Sequence, residues 1–341
     1  MRRWLGILLL AFVVLGGLDT WIRYERNAQR DADGVLRPLL DPARQIVPDR
    51  VRVVRLQLAQ SEWRYERQGD TWRFPAYFNA YVHGERMNAL LGTLLGAVGT
   101  RAGNDAEVHD DLGVADHQAL RVLLEDGNHP LEAILLGRGV PGPAAEESYA
   151  RLAGDDLVLH LHTNPQRLLG NARPPLLDPH LLPRDEPRRA IAHVQVSGAH
   201  GSYDLHRVLA PLPEGAPPMP MDERDRYRWV LQRDARIDTC DDNTVYTWLS
   251  WVRSVRFLRL VDPAAPDYDL ASSGMLQWTD EEGTSDRLAI GRAAGNGEIY
   301  VANEAAGLVT VMPALRARWL VPAAELLLQP LTDPTPFESI P

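Results

Sequence analysis

Pro38-Leu39-Leu40-Asp41-Pro42 recurs letter for letter at Pro175-Leu176-Leu177-Asp178-Pro179, and with one change at Pro330-Leu331-Thr332-Asp333-Pro334. The intervals are 175 − 38 = 137 and 330 − 175 = 155 residues, each long enough for a domain. Proline fixes φ at both ends and pushes its predecessor away from helix, so the pentapeptide reads as rigid punctuation between folded units. Other features recur in the same order. Trp72 matches Trp229 at an offset of 157, and the helix-patterned Met87, Leu90, Leu91 and Leu94 match Val245, Trp248, Leu249 and Val252 at 158. Asp111-Leu112 matches Asp269-Leu270 at 158, Leu136-Gly137-Arg138 matches Ile290-Gly291-Arg292 at 154, and Tyr149 matches Tyr300 at 151. Ordered matches with few shifts in offset imply a duplication: repeat 1 over 38–171 and repeat 2 over 172–341. The early jump in offset coincides with a Pro-rich stretch at 209–222, read as a loop insertion in the second copy.

Within repeat 1, Val54, Leu56 and Leu58 alternate with polar residues, as do Trp63 and Tyr65, and Trp72 and Phe74 begin a third strand. An amphipathic helix is expected from about Gly84 to Gly99, followed by a loop at Asp110–Gly113 and four more strands. Pro165–Gly170 reads as a closing helical turn. Repeat 2 follows the same plan, with a helix N-capped near Asp242-Asn243 and a final helix over Leu320–Leu328 holding Pro322 in its first turn. Strands joined by short hairpins with one covering helix give α+β: two tandem copies of a mostly antiparallel sheet, not alternating βαβ units.

Ahead of the repeats, Arg2 and Arg3 precede an apolar run from Trp4 to Leu18, which reaches spanning length at Ile22 if Asp19 and Trp21 sit at the far interface. No small-residue cleavage site or lipobox cysteine follows, so 1–25 is expected to be an uncleaved transmembrane anchor and 26–37 a linker. The two arginines place the N-terminus in the cytoplasm and the bulk in the periplasm of a single-pass inner-membrane protein.

Net charge is −10, and every basic residue other than histidine is arginine. That balance argues against nucleic-acid binding, which needs a basic face. Cys240 is the one cysteine, so no intrachain disulfide forms. Gly137-Arg138-Gly139-Val140-Pro141-Gly142 fits G-x-G-x-x-G, yet prolines stand where the dinucleotide fingerprint needs a helix, so it reads as a hairpin loop. His160 and His162 share a strand face and are the weak metal-ligand candidates, without an identifiable third ligand. Asp238–Asn243 lacks the EF-hand spacing and reads as a capping loop. No G-x-S-x-G elbow occurs. No catalytic residue and no cofactor site is assigned.

The Trp-containing third strand, the Leu-rich helix, the Asp-Leu-Gly loop, the strand ending Leu-Gly and the Tyr strand, together with the N-terminal anchor, resemble an uncharacterised bacterial family of duplicated extracytoplasmic domains. Members stand beside gliding-motility-type ABC transporters, and the resemblance implies an auxiliary component that partners the permease and ATPase without catalysing a reaction. Repeat 2 departs from the pattern, with Ala271 where repeat 1 has Gly113. Two alternatives stay open: a module binding envelope glycans or lipids in a groove between the repeats, and an anchored metal-dependent hydrolase using His160 and His162.

Overall fold

A computed structural model describes residues 34–127, 129–140, 145–170, 174–182, 190–210 and 226–331. The expected anchor at 1–25 lies outside the described residues, as do most of the Pro-rich stretch and most of the third pentapeptide. No described helix is long and apolar enough to cross a membrane.

The chain divides into two compact units: residues 1–70 with 84–176, and residues 71–83 with 177–341. This differs from a contiguous division at 171/172, because 71–83 group with the second unit. The strands are β1 Arg37–Pro38, β2 Val53–Leu58, β3 Ser61–Gln68, β4 Thr71–Phe74, β5 Ala80–Tyr81, β6 Val98–Gly103, β7 Leu120–Glu125, β8 Pro130–Gly139, β9 Ser148–Leu152 and β10 Val158–Leu161. They continue as β11 Ile191–Gly198, β12 Gly201–Leu209, β13 Tyr227–Arg233, β14 Arg236–Thr239, β15 Arg259–Val261, β16 Gly274–Asp280, β17 Ser285–Gly295, β18 Glu298–Asn303 and β19 Leu308–Pro313. Helices are α1 Gly84–Leu95, α2 Ala106–Asp111, α3 Asp242–Ser254, α4 Ala314–Ala317 and α5 Ala324–Leu327.

Unit 1 carries the strand order β6-β10-β9-β8-β7-β2-β3, with β1 on the outer edge of β6. Unit 2 carries β15-β19-β18-β17-β16-β11-β12-β13-β14. The first seven strands of each run in the same order once β2 is equated with β11, β6 with β15 and so on. β4 also pairs antiparallel with β5 as β13 does with β14. The described pairings are antiparallel, with few and short helices, which makes the fold α+β. A shared seven-strand order with matching hairpins is the topology a duplication produces.

Alternation along each strand sets one buried face. In unit 1, Val54, Leu56, Val122, Leu124, Ile134 and Leu136 have almost no exposure. Helix α1 buries Met87, Leu90, Leu91 and Leu94, the i, i+3, i+4, i+7 stripe that a 3.6-residue period brings together. It packs on the 3₁₀ turns Pro48–Arg50 and Pro165–Leu169. Each such side chain contributes about 1.5–3 kcal/mol by leaving water. Helix α3 is capped by Asp241, one residue before the expected position; its carboxylate accepts from Thr244 N and Thr244 Oγ1, both at 2.8 Å. The neighbouring Asp242 carboxylate instead accepts from Trp229 N at 2.8 Å, tying the helix to β13.

Several sequence expectations need correction. Helix α1 stops at Leu95, and the chain soon enters β6, so that, β1 apart, each copy has four strands, a helix and then five strands. The expected loop at Asp110–Gly113 begins as the last turn of α2. The expected terminal helix is a 3₁₀ turn at Arg318–Leu320 and the short α5, with Pro322 between them because its ring cannot sit inside either.

The second pentapeptide is also not the structural counterpart of the first. Leu39 N donates to Ala97 O at 2.8 Å just after α1, and Leu181 N donates to Val255 O at 3.0 Å just after α3. Leu39-Leu40 therefore match Leu181-Leu182, at 181 − 39 = 142, and all four leucines are buried. Pro175-Leu176 instead close unit 1: Leu176 N donates to Leu169 O, and the buried Tyr65 hydroxyl donates to Pro175 O at 2.5 Å.

Cys240 is buried, with its amide donating to Trp229 O. Burial, aided by the carboxylates of Asp242, Asp238 and Asp241, pushes its thiol up to about 12. At pH 8 the thiol stays protonated, and the thiolate is the species that alkylates. Iodoacetamide is therefore expected to leave the native chain unmodified and to add one equivalent after denaturation, read by intact mass; rapid native labelling would contradict the burial.

Candidate functional site

The histidines singled out by sequence lie at the end of β10. His160, on β10, places Nε2 2.8 Å from a Glu147 carboxylate oxygen and stacks on Tyr149 with ring centroids 5.1 Å apart. His162 lies one residue past the strand end and is exposed, its ring centroid 6.1 Å from that of His160. Among the described residues, no three metal-ligating side chains of the His, Cys, Asp and Glu type gather in one place. Other imidazoles are tied in the same way. His109 Nε2 meets Asp156 O at 2.9 Å, and His193 Nε2 meets Asp204 at 2.9 Å. His206 stacks on His193 at 4.6 Å; burial, then the neighbouring imidazole, lowers its pKa. His180 and Asp178 form a buried pair, and Arg256 Nε donates to His180 Nε2 at 3.3 Å.

The Gly137-Arg138-Gly139 segment lies on β8 rather than in a phosphate-cradling loop. Arg138 N donates to Leu112 O at 3.1 Å, and a Cβ on Gly137 would stand 2.4 Å from that same oxygen. Only glycine lets the loop approach so closely. Unit 2 repeats this clamp: Arg292 N donates to Tyr268 O at 3.0 Å, and a Cβ on Gly291 would stand 2.3 Å from it. Leu112 therefore matches Tyr268, at 268 − 112 = 156, which corrects the sequence alignment of Asp111-Leu112 with Asp269-Leu270 by two residues.

Around the unit 1 clamp opens a cleft of about 250 Å³. Its walls are apolar, from Leu58, Trp63, Leu120, Leu136 and Leu169, and its polar side is Gln118, Arg138 and Gln166. Gln166 is spent on structure, its amide donating to Leu136 O at 3.2 Å and Gly137 O at 2.8 Å. Arg138 is exposed; its Nη2 reaches Gln118 Oε1 at 3.4 Å, while Gln118 Nε2 donates to Asp110 O at 2.8 Å. A hollow lined about equally by apolar and polar groups, with one guanidinium at its lip, suits an amphipathic anion. Sequence reading missed this cleft. The signal that could have found it is the hairpin alignment of Ala59-Gln60 with Ala199-His200, which sets Leu58 against Gly198.

The family described as Domain of unknown function (DUF4340) matches residues 72–273. The chain belongs to this family. The matched stretch begins at Trp72 in β4 and ends just before β16, so it takes in α1, the clamp of unit 1 and α3. No curated protein and no solved structure matches the chain.

Proposed function

We propose that this chain is a non-catalytic auxiliary protein, anchored in the inner membrane by its N-terminal segment, that presents its two sheet units outside the cytoplasm to an ABC-type permease and ATPase. The observation that carries the non-catalytic reading is the use made of the imidazoles. His160 is engaged by Glu147, His180 by Asp178 and Arg256, His193 by Asp204, and His109 by a backbone carbonyl. These four imidazoles help to hold strands and loops in place. The anchor reading rests on the apolar run Trp4–Ile22 behind Arg2 and Arg3. A duplicated unit doubles the surface offered to one partner.

The membrane part is tested by fractionating cells that express the tagged chain and treating spheroplasts with protease. The chain is expected to resist carbonate extraction and to be digested from outside down to a short N-terminal fragment. Recovery in the soluble fraction, or protection of the bulk in intact spheroplasts, would overturn it.

A further inference from the structure

The two units differ at the cleft, and unit 2 fills its version from within. Hairpin register sets Leu58 against Gly198 and Trp63 against Tyr203, both at an offset of 140 (198 − 58 and 203 − 63). Strand pairing sets Leu120 against Gly274 and Arg138 against Arg292, both at 154 (274 − 120 and 292 − 138). Where unit 1 has two leucines, unit 2 has two glycines. Over both lies Val321: a Cβ on Gly198 or Gly274 would stand 3.2 Å from Val321 Cγ2. Val321 is buried, and the Tyr203 hydroxyl donates to Pro322 O at 2.8 Å, holding that segment down. The arginine is closed as well. Arg292 Nη2 donates to an Asp267 carboxylate oxygen and Nε to Asp267 O, both at 2.6 Å.

Unit 2 thus holds an aliphatic group on the floor and a carboxylate on the arginine, both supplied by its own chain. Unit 1 keeps the arginine and leaves the space open. Among the described residues Arg138 has no carboxylate partner; it meets the neutral Gln118, which stands between it and Asp110. We infer that the unit 1 cleft binds a small monocarboxylate with an apolar body. Its carboxylate takes on Arg138 the place Asp267 takes on Arg292, and its body lies against Trp63, Leu58 and Leu120. A guanidinium and a carboxylate match in charge and in fork geometry. The volume limits the ligand: about 150 Å³ suffices for benzene, so 250 Å³ suits a body of roughly ten heavy atoms rather than a long acyl chain. This goes beyond the auxiliary reading and does not depend on the partner named there.

The test titrates the full chain in detergent with 3-phenylpropionate by calorimetry, against a micelle blank. Saturable binding at one site is expected. Arg138→Gln should weaken it at least about tenfold. Gln118→Glu, which sets a carboxylate beside Arg138, should weaken it as much, while Arg292→Gln leaves it unchanged. The uncharged 3-phenylpropanol should bind the unaltered chain at least about tenfold more weakly, and should bind Arg138→Gln no more weakly than that. Arg138 and Gln118 lie outside the core, so both variants should fold, checked by circular dichroism. Absence of saturable binding overturns the inference. So does unchanged affinity in both unit 1 variants, or an equal loss in Arg292→Gln.

Discussion

Trp248→Ala is expected to lower the free energy of unfolding by about 3–5 kcal/mol, the range for emptying a large aromatic site in a packed core. The indole has no exposed surface and lies at the centre of the unit 2 cluster with Trp229, Val252, Leu276 and Leu320. Its Nε1 also donates to Trp319 O at 2.9 Å, fastening α3 to the chain that carries Val321. The variant therefore loses a core filler and leaves a carbonyl short of its donor, which adds to the cavity cost. Urea unfolding of the full-length protein would read this as a midpoint lowered by more than about 1 M. A shift within error would mean that the Trp248 side chain does not hold the core of unit 2 together. Trp248→Phe should recover most of the packing and lose the hydrogen bond, costing clearly less.

The second large effect is expected at Asp178, which shares its pentapeptide with Pro175 yet belongs to unit 2. Its carboxylate is 1% exposed and accepts from His180 N at 3.1 Å as well as from the His180 ring. Its own amide donates to Tyr81 O at 3.0 Å, in the segment 71–83 that groups with unit 2. Asp178→Ala strands a buried imidazole and should cost about 3–5 kcal/mol, as when one partner of a buried pair is removed. The double variant Asp178→Ala/His180→Leu should be no less stable than Asp178→Ala alone, because the stranded imidazole is then gone; the residue 180 amide loses its carboxylate acceptor in both variants alike, and Arg256 is exposed and can turn to water. Strictly additive losses in the two single variants would show that the pair is not coupled.

The likeness of the two units was legible because its strongest carriers are large or sterically demanding. Trp72 and Trp229 are both buried, and Gly137-Arg138 and Gly291-Arg292 make the same backbone clamp. The stripes of α1 and α3 fell at the expected positions because burial on one helix face leaves a 3.6-residue record. What escaped were the short edge strands and β6, which is paired on both sides. β5 and β14 have two and four residues, and β6 runs Val98-Gly99-Thr100-Arg101, where no alternation survives. Gly99 is required there for close approach, since a Cβ would stand 2.4 Å from His160 O, and this breaks the pattern. The pentapeptide misled because identical turn letters mark local backbone preference, whereas pairing after the helix decides which leucines correspond. The cleft left one trace in the sequence, the hairpin alignment that sets Leu58 against Gly198. The contrast with unit 2 was hidden because Val321, which lies over Gly198 and Gly274, is distant in sequence from both.

The most direct test of the auxiliary account is a pull-down of the tagged full-length chain from gently solubilised membranes, with mass spectrometry of the proteins that accompany it. The account predicts an ATPase and a polytopic permease at yields comparable to the bait, retained when His160 and His162 are both replaced by alanine. Recovery of the chain alone from the same membranes after mild cross-linking would contradict it.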